Sequence, residues 1–106
     1  MNFFSSKELV GEQSAWRVLA TTAKSQLAMM SLDAGQVSGE YGSDHLQADQ
    51  VLYCLSGSGT ALVEAKEIPF AAGDLLLIEA GEHHQIQGGP CQTLNIYSPI
   101  AYPDEA

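Results

Sequence analysis

The sequence predicts an all-β domain, a small barrel or sandwich, on three observations. Strand-like segments recur about every 8 to 12 residues through most of the chain, and Gly, Pro or Ala-Gly punctuates most of the gaps between them. No long stretch carries the roughly 3.6-residue apolar period of a helix. The chain has 106 residues, which is one domain, because two pieces would each be too small to bury a core.

The elements follow in order. Residues 1–15 form a peripheral segment in which Ser5-x-x-Glu8 has the form of a capping box, so one helical turn is expected there. Trp16 to Thr21 is β-rich, Ala23-Lys24 turns, and Gln26 to Leu32 runs back antiparallel. Asp33-Ala34-Gly35 breaks that strand, and Val37 to Ser43 is a loop carrying Gly39 and Gly42. Further strands are predicted near His45–Gln47, Gln50–Ser56, Thr60–Glu64, Glu67–Phe70, Leu75–Glu79, His84–Gln87 and Gln92–Tyr97.

Composition excludes several functions. The net charge is -9, with only Lys7, Arg17, Lys24 and Lys66 as basic residues, and these do not cluster. Nucleic acid and anionic membranes both need a basic footprint, so neither is an expected partner. Cys54 and Cys91 are too few and too far apart for a disulfide framework, and neither lies in a CxxC pair. Residues 1–14 lack a basic, apolar leader, and no stretch approaches the roughly 20 apolar residues of a membrane span. A cytoplasmic location is therefore expected.

Two stretches concentrate the chemistry. The first places His45, Gln47 and Gln50 ahead of Val51-Leu52-Tyr53-Cys54-Leu55 and closes with Gly57-Ser58-Gly59. The second opens with Gly73-Asp74, crosses Leu75-Leu76-Leu77-Ile78 and turns at Ala80-Gly81 before His83-His84. Each strand delivers imidazoles or amides beside a turn, and in a small barrel the two deliveries can meet as one polar site in an apolar cavity. Alternation puts Gln50, Leu52 and Cys54 on one face and Val51, Tyr53 and Leu55 on the other. In the last strand Leu94 and Ile96 share a face opposite Thr93, Asn95 and Tyr97; Leu52, Ile86 and Ile96 are read as inward apolar residues. The Gln50–Leu55 strand is apolar on both faces, which predicts a second cover on its outer side and hence a homodimer.

These two segments resemble the two motifs of the cupin superfamily, small double-stranded β-helix (jelly-roll) barrels. The first motif is matched by Gly42…His45-Leu46-Gln47…Gln50…Gly57, with glutamines where a second histidine and an acid are usual. The second is matched by Gly73-Asp74 through Ala80-Gly81 to His84, with Glu79 where proline is usual. Asp49-Gln50 and the closing Ile96-Tyr97-Ser98-Pro99…Pro103-Asp104 look like a subset of single-domain cupins that carry Gln for the motif glutamate. The resemblance spans roughly residues 25 to 103. It implies that His45, Gln47, Gln50 and His84 surround one divalent metal such as Fe, Mn, Ni or Zn, with oxygenase or isomerase chemistry as the enzyme reading. The set has no formal negative charge, so any metal should be weakly held.

Other readings stand beside these. His45 and His84 could be hydrogen-bonded pocket histidines without a metal, and Gln47 and Gln50 an amide pair lining a wet cavity. On that view the protein is a non-catalytic small-molecule-binding or sensory module that has lost its metal. Asp44 and Asp49 are near in sequence, but alternation turns Asp49 away from Gln50's face. His83 points opposite to His84. Cys54 faces inward as a nucleophile, a soft ligand or simply a small hydrophobe. Cys91, after Gly88-Gly89-Pro90, reads as structural, Tyr53 and Trp16 as packing residues. No serine sits in a nucleophile elbow.

Overall fold

Among the described residues, six antiparallel strands form the body: β1 (Trp16–Thr21), β2 (Gln26–Leu32), β3 (Asp49–Val63), β4 (Lys66–Ala71), β5 (Leu75–Ile78) and β6 (His84–Ser98), preceded by the short helix α1 (Ser6–Val10). The computed structural model describes residues 1–11, 15–42 and 45–103, so Ser43, Asp44 and Asp104 lie outside it. Strand order is β1-β2-β6-β3-β4, with β5 also paired to β3.

The two long strands explain the barrel. The first half of β3 pairs with β5, Gln50 opposite Ile78, and its second half pairs with β4, Ala61 opposite Ile68. β6 follows β3 throughout, with register shifts between Cys54 and Ser56 and between Gly57 and Gly59. Irregularities of this kind let a strand bend from one sheet into a facing one, which makes the nearly all-β chain a jelly-roll barrel.

Here the structure corrects the sequence reading. Gly57-Ser58-Gly59 and Gly88-Gly89-Pro90 do not end strands; they lie inside β3 and β6. The reason is close approach. A Cβ on Gly57 would sit 2.1 Å from the Pro90 carbonyl oxygen, and Gly57 has φ +75°; a Cβ on Gly59 would sit 2.5 Å from the Gln87 carbonyl oxygen. Glycine is needed there to let two backbones touch, not to stop them. The strand expected at His45–Gln47 is also absent, since Leu46 and Gln47 form a bend.

The helical turn does form at Ser5, but the Ser5 side chain makes no capping bond. The Glu8 and Leu9 amides instead donate to the Ser5 carbonyl oxygen. Phe4 and Leu9 lie with Leu19, Leu27, Leu94 and Ile96 around a small apolar cavity of about 150 Å³ on the outer side of the sheet.

Inside, Met30, Leu32, Leu52, Cys54, Ala61, Phe70, Ile78 and Ile86 pack as one buried cluster. Leu52 and Cys54 are wholly buried, as their shared face requires. Ile96, expected inward, is instead 36% exposed, while Thr93, Asn95 and Tyr97 are buried. Tyr97 lies opposite Gln50 in the β3–β6 register, so the polar face of β6 is the one that meets the inward face of β3. Among the described residues, no helix is long and apolar enough to cross a membrane.

Candidate functional site

A cavity of about 340 Å³ opens at the end of the barrel where β3 begins and β6 begins and ends. His45, Gln50 and His84 all line it, together with Asn95, Tyr97 and Tyr102. The His45 and His84 ring centroids are 5.6 Å apart. The loop before β3 supplies His45, β3 itself Gln50, the start of β6 His84, and its end Asn95 and Tyr97.

Each histidine is oriented by a neighbour. His84 Nδ1 lies 3.1 Å from the Glu82 carbonyl oxygen. A carbonyl only accepts, so in the neutral ring Nδ1 carries the proton and Nε2 the lone pair. His45 Nε2 meets the Tyr102 hydroxyl at 3.2 Å. Tyr102 stands edge-on to Trp16 and to Tyr97, with ring centroids at 5.1 and 5.2 Å. Burial, with the neighbouring Tyr102, pushes the Tyr97 phenol well above its ordinary range, so it stays a neutral hydroxyl.

On the floor, Gln50 Nε2 donates to Asn95 Oδ1 at 3.4 Å, and the Thr93 hydroxyl donates to the same oxygen at 3.5 Å. Among the described residues, two buried atoms are left without a hydrogen-bond partner, Gln50 Oε1 and Asn95 Nδ2. Each such atom needs an explanation, because desolvating an amide without a partner is costly.

Gln47 does not join this group. It is exposed and does not line the cavity. Alternation would have put it on the same face as His45 only in a strand, and the bend at Leu46-Gln47 removes that relation. Asp49 is turned outward as expected, and its carboxylate accepts the Ala80 amide at 2.9 Å. His83 also points outward, with Nδ1 3.7 Å from Glu64. Cys54 and Cys91 are buried free thiols, and burial pushes both up from the ordinary range, which suits small hydrophobes rather than nucleophiles.

The sequence reading missed Asn95, Tyr97, Tyr102 and the exposure of Trp16 to the cavity, which Trp16 helps to line. Asn95 and Tyr97 had a signal in their alternation with Leu94 and Ile96. Tyr102 follows the last strand and had none.

The donor set does not fit a tightly held divalent metal. It offers two imidazoles and one uncharged amide oxygen, with an amide donor, Asn95 Nδ2, beside them. Among the described residues no group of three or more His, Cys, Asp or Glu could hold a metal ion. Neutral ligands alone offset none of a dication's charge.

An antiparallel jelly-roll barrel with a polar-floored cavity between its long strands defines the class of protein. The chain belongs to the cupin family: the cupin domain matches residues 28–97. Solved structures agree. The BH2720 protein of Bacillus halodurans superposes with TM-score 0.85 at 23% identity, covering 97% of this chain and 85% of that one. The TT1209 protein of Thermus thermophilus does so with TM-score 0.78 at 23% identity, covering 93% and 98%. A predicted oxalate decarboxylase of Thermotoga maritima matches with TM-score 0.65 at 25% identity, covering 74% and 69%. No curated protein matches the chain significantly.

Proposed function

We propose that this cupin binds a small organic molecule in the cavity around His45, Gln50 and His84 through direct hydrogen bonds, without a resident metal. The observation that carries the reading is the pair of buried orphan atoms, Gln50 Oε1 and Asn95 Nδ2. One is an acceptor and the other a donor. A cation would satisfy the first and be repelled by the second; an organic ligand can satisfy both. The volume, about 340 Å³, is at the small end of ligand pockets. Trp16, Met30, Leu32 and Ile86 supply apolar wall, and His84 Nε2 adds an acceptor.

The competing reading is a metal-dependent oxygenase or isomerase, with His45, Gln50 and His84 as ligands. The predicted oxalate decarboxylase named above is neither of these, and its likeness is one of fold. Elemental analysis of protein purified without chelator, with calorimetric titration of Zn, Ni and Mn, separates the two. The expected result is metal far below one equivalent and no affinity tighter than micromolar. Stoichiometric metal held at nanomolar affinity would overturn the proposal. In the same direction, His45→Ala with His84→Ala should leave a folded barrel whose ligand affinity falls by no more than about tenfold, or about 1.4 kcal/mol.

A further inference from the structure

We propose that Gln50 and Asn95 form a subsite for an uncharged group that both donates and accepts a hydrogen bond, a carboxamide or a hydroxyl, carried on an apolar or aromatic body. The inference rests on the metal-independent reading above and names the class of ligand it takes.

Gln50 and Asn95 are diagonal neighbours on adjacent strands, since Gln50 pairs with Tyr97 and Leu52 with Asn95. Both are more than nine-tenths buried, at 4% and 1% exposure, and both line the cavity. Their single mutual bond engages one nitrogen and one oxygen, and one oxygen and one nitrogen remain without a partner among the described residues. Exchanging oxygen and nitrogen in both amides does not change that count. It moves the orphan donor to Gln50 and the orphan acceptor to Asn95, so the requirement holds whichever way the amides are set.

The surroundings exclude the charged alternatives. None of the described residues that line the cavity is Lys, Arg, Asp or Glu, so nothing fixed offsets a carboxylate, a phosphate or an ammonium. The net charge of -9 adds a general penalty against anions. A bare carboxylate would also satisfy only the donor and would set its own oxygen against the Gln50 acceptor. A carboxamide or hydroxyl carries both the donor and the acceptor that the two atoms lack. The aromatic edge made by Trp16, Tyr97 and Tyr102 fits a flat or apolar remainder.

The test uses benzamide, benzyl alcohol and benzoate on the full chain, all at one mildly alkaline pH. Affinities come from ligand-observed NMR, and the site from side-chain amide resonances of Gln50 and Asn95. The expected result is that benzamide and benzyl alcohol bind at least about tenfold more tightly than benzoate and shift the Asn95 amide. In Asn95→Leu the preference should vanish while circular dichroism shows an intact fold. Benzoate binding as tightly as benzamide would overturn the subsite while leaving the pocket itself standing, as would a preference that survives in folded Asn95→Leu. If that variant does not fold, the ranking on the native chain decides. Absence of any shift in the cavity with all three compounds would sink both the subsite and the pocket reading. Stoichiometric metal at nanomolar affinity would sink the metal-independent reading and, with it, the subsite that rests on it.

Discussion

Gln26 holds Tyr102 by both ends of one amide: its Nε2 donates to the Tyr102 carbonyl oxygen at 2.9 Å, and its Oε1 accepts the Tyr102 amide at 2.8 Å. Gln26 is wholly buried, so it acts as a piece of strand backbone made from a side chain. That pairing sets the Tyr102 ring against Trp16 and its hydroxyl against His45. Gln26→Leu should cost about 1 kcal/mol, because it strands the half-buried amide and carbonyl of Tyr102. Urea denaturation reads the loss, and an unchanged midpoint would show that the clamp is dispensable.

Restoring the imidazole of the usual cupin pattern should have no effect at Gln47. The side chain is exposed on a bend outside the cavity. Gln47→His should therefore leave Zn, Ni and Mn titrations as they are in the parent. A gain of tenfold or more, about 1.4 kcal/mol, would mean that the bend straightens to bring position 47 inward.

Stability and binding should trade off at the cavity floor. Gln50→Leu combined with Asn95→Leu removes both orphan atoms, and replacing both members of such a pair by apolar groups is near neutral or stabilising, a gain offset in part because the Thr93 hydroxyl loses its acceptor. The double variant should melt close to the parent temperature while losing affinity for neutral ligands. A fall of more than about 3 kcal/mol would show that the amides hold the barrel together rather than serve a ligand.

Alkaline pH should destabilise the fold. Burial raises the Cys54 and Cys91 thiols and the Tyr97 phenol in the folded state. A group raised in this way favours its protonated form when folded. Its stabilisation is complete below the unfolded value, about 8.5 for a thiol and about 10 for a phenol, and is lost as pH rises through the folded value. Denaturation midpoints should be flat to about pH 8 and then decline. At neutral pH, iodoacetamide should label both cysteines far more slowly in the native than in the unfolded chain; equal rates would contradict their burial.

A homodimer is expected through the outer face of β5, β3 and β6. Val51 pairs with Leu77 and with Ile96, and Tyr53 pairs with Leu75, so their side chains share one face. Leu75 and Leu77 are 66% and 62% exposed, and Tyr53 and Ile96 more than a third, in a chain of net charge -9. A second copy offers the same uncharged surface, which suits an isologous contact. Light scattering should give twice the chain mass at micromolar concentration, and Leu75→Lys with Leu77→Lys should halve it. A monomer in the parent would refute the expectation.

The two motifs marked where the pocket lies, because His45, Gln50 and His84 sit beside turns whose residue types are local. The parity of β3 was legible for the same reason: Gln50, Leu52 and Cys54 are inward as alternation requires. Parity alone did not say which face of β6 meets them. Ile96 looked like the inward residue because it is apolar, yet Asn95 and Tyr97 are inward because Tyr97 is registered on Gln50. Glycine misled in another way. At Gly57 and Gly88 its spacing resembles a turn, while its purpose is contact between strands distant in sequence. The positions of Gln47 and Tyr102 depend on a bend and on a clamp to Gln26, neither of which has a periodic trace.

The pairing of β3 with β6 also governs how the chain is made. The 35 positions from Asp49 to His84 take about 2–7 s to synthesise at roughly 5–20 residues per second. Through that interval β3 has no partner on its β6 side, and an apolar strand edge is an invitation to other chains. The cavity is later still, since Asn95, Tyr97 and Tyr102 emerge after the walls they complete. Ligand therefore cannot guide the early collapse of the nascent polypeptide. Yield in the cell should depend on shelter by chaperones during those seconds, and added ligand should protect only molecules already released from the ribosome.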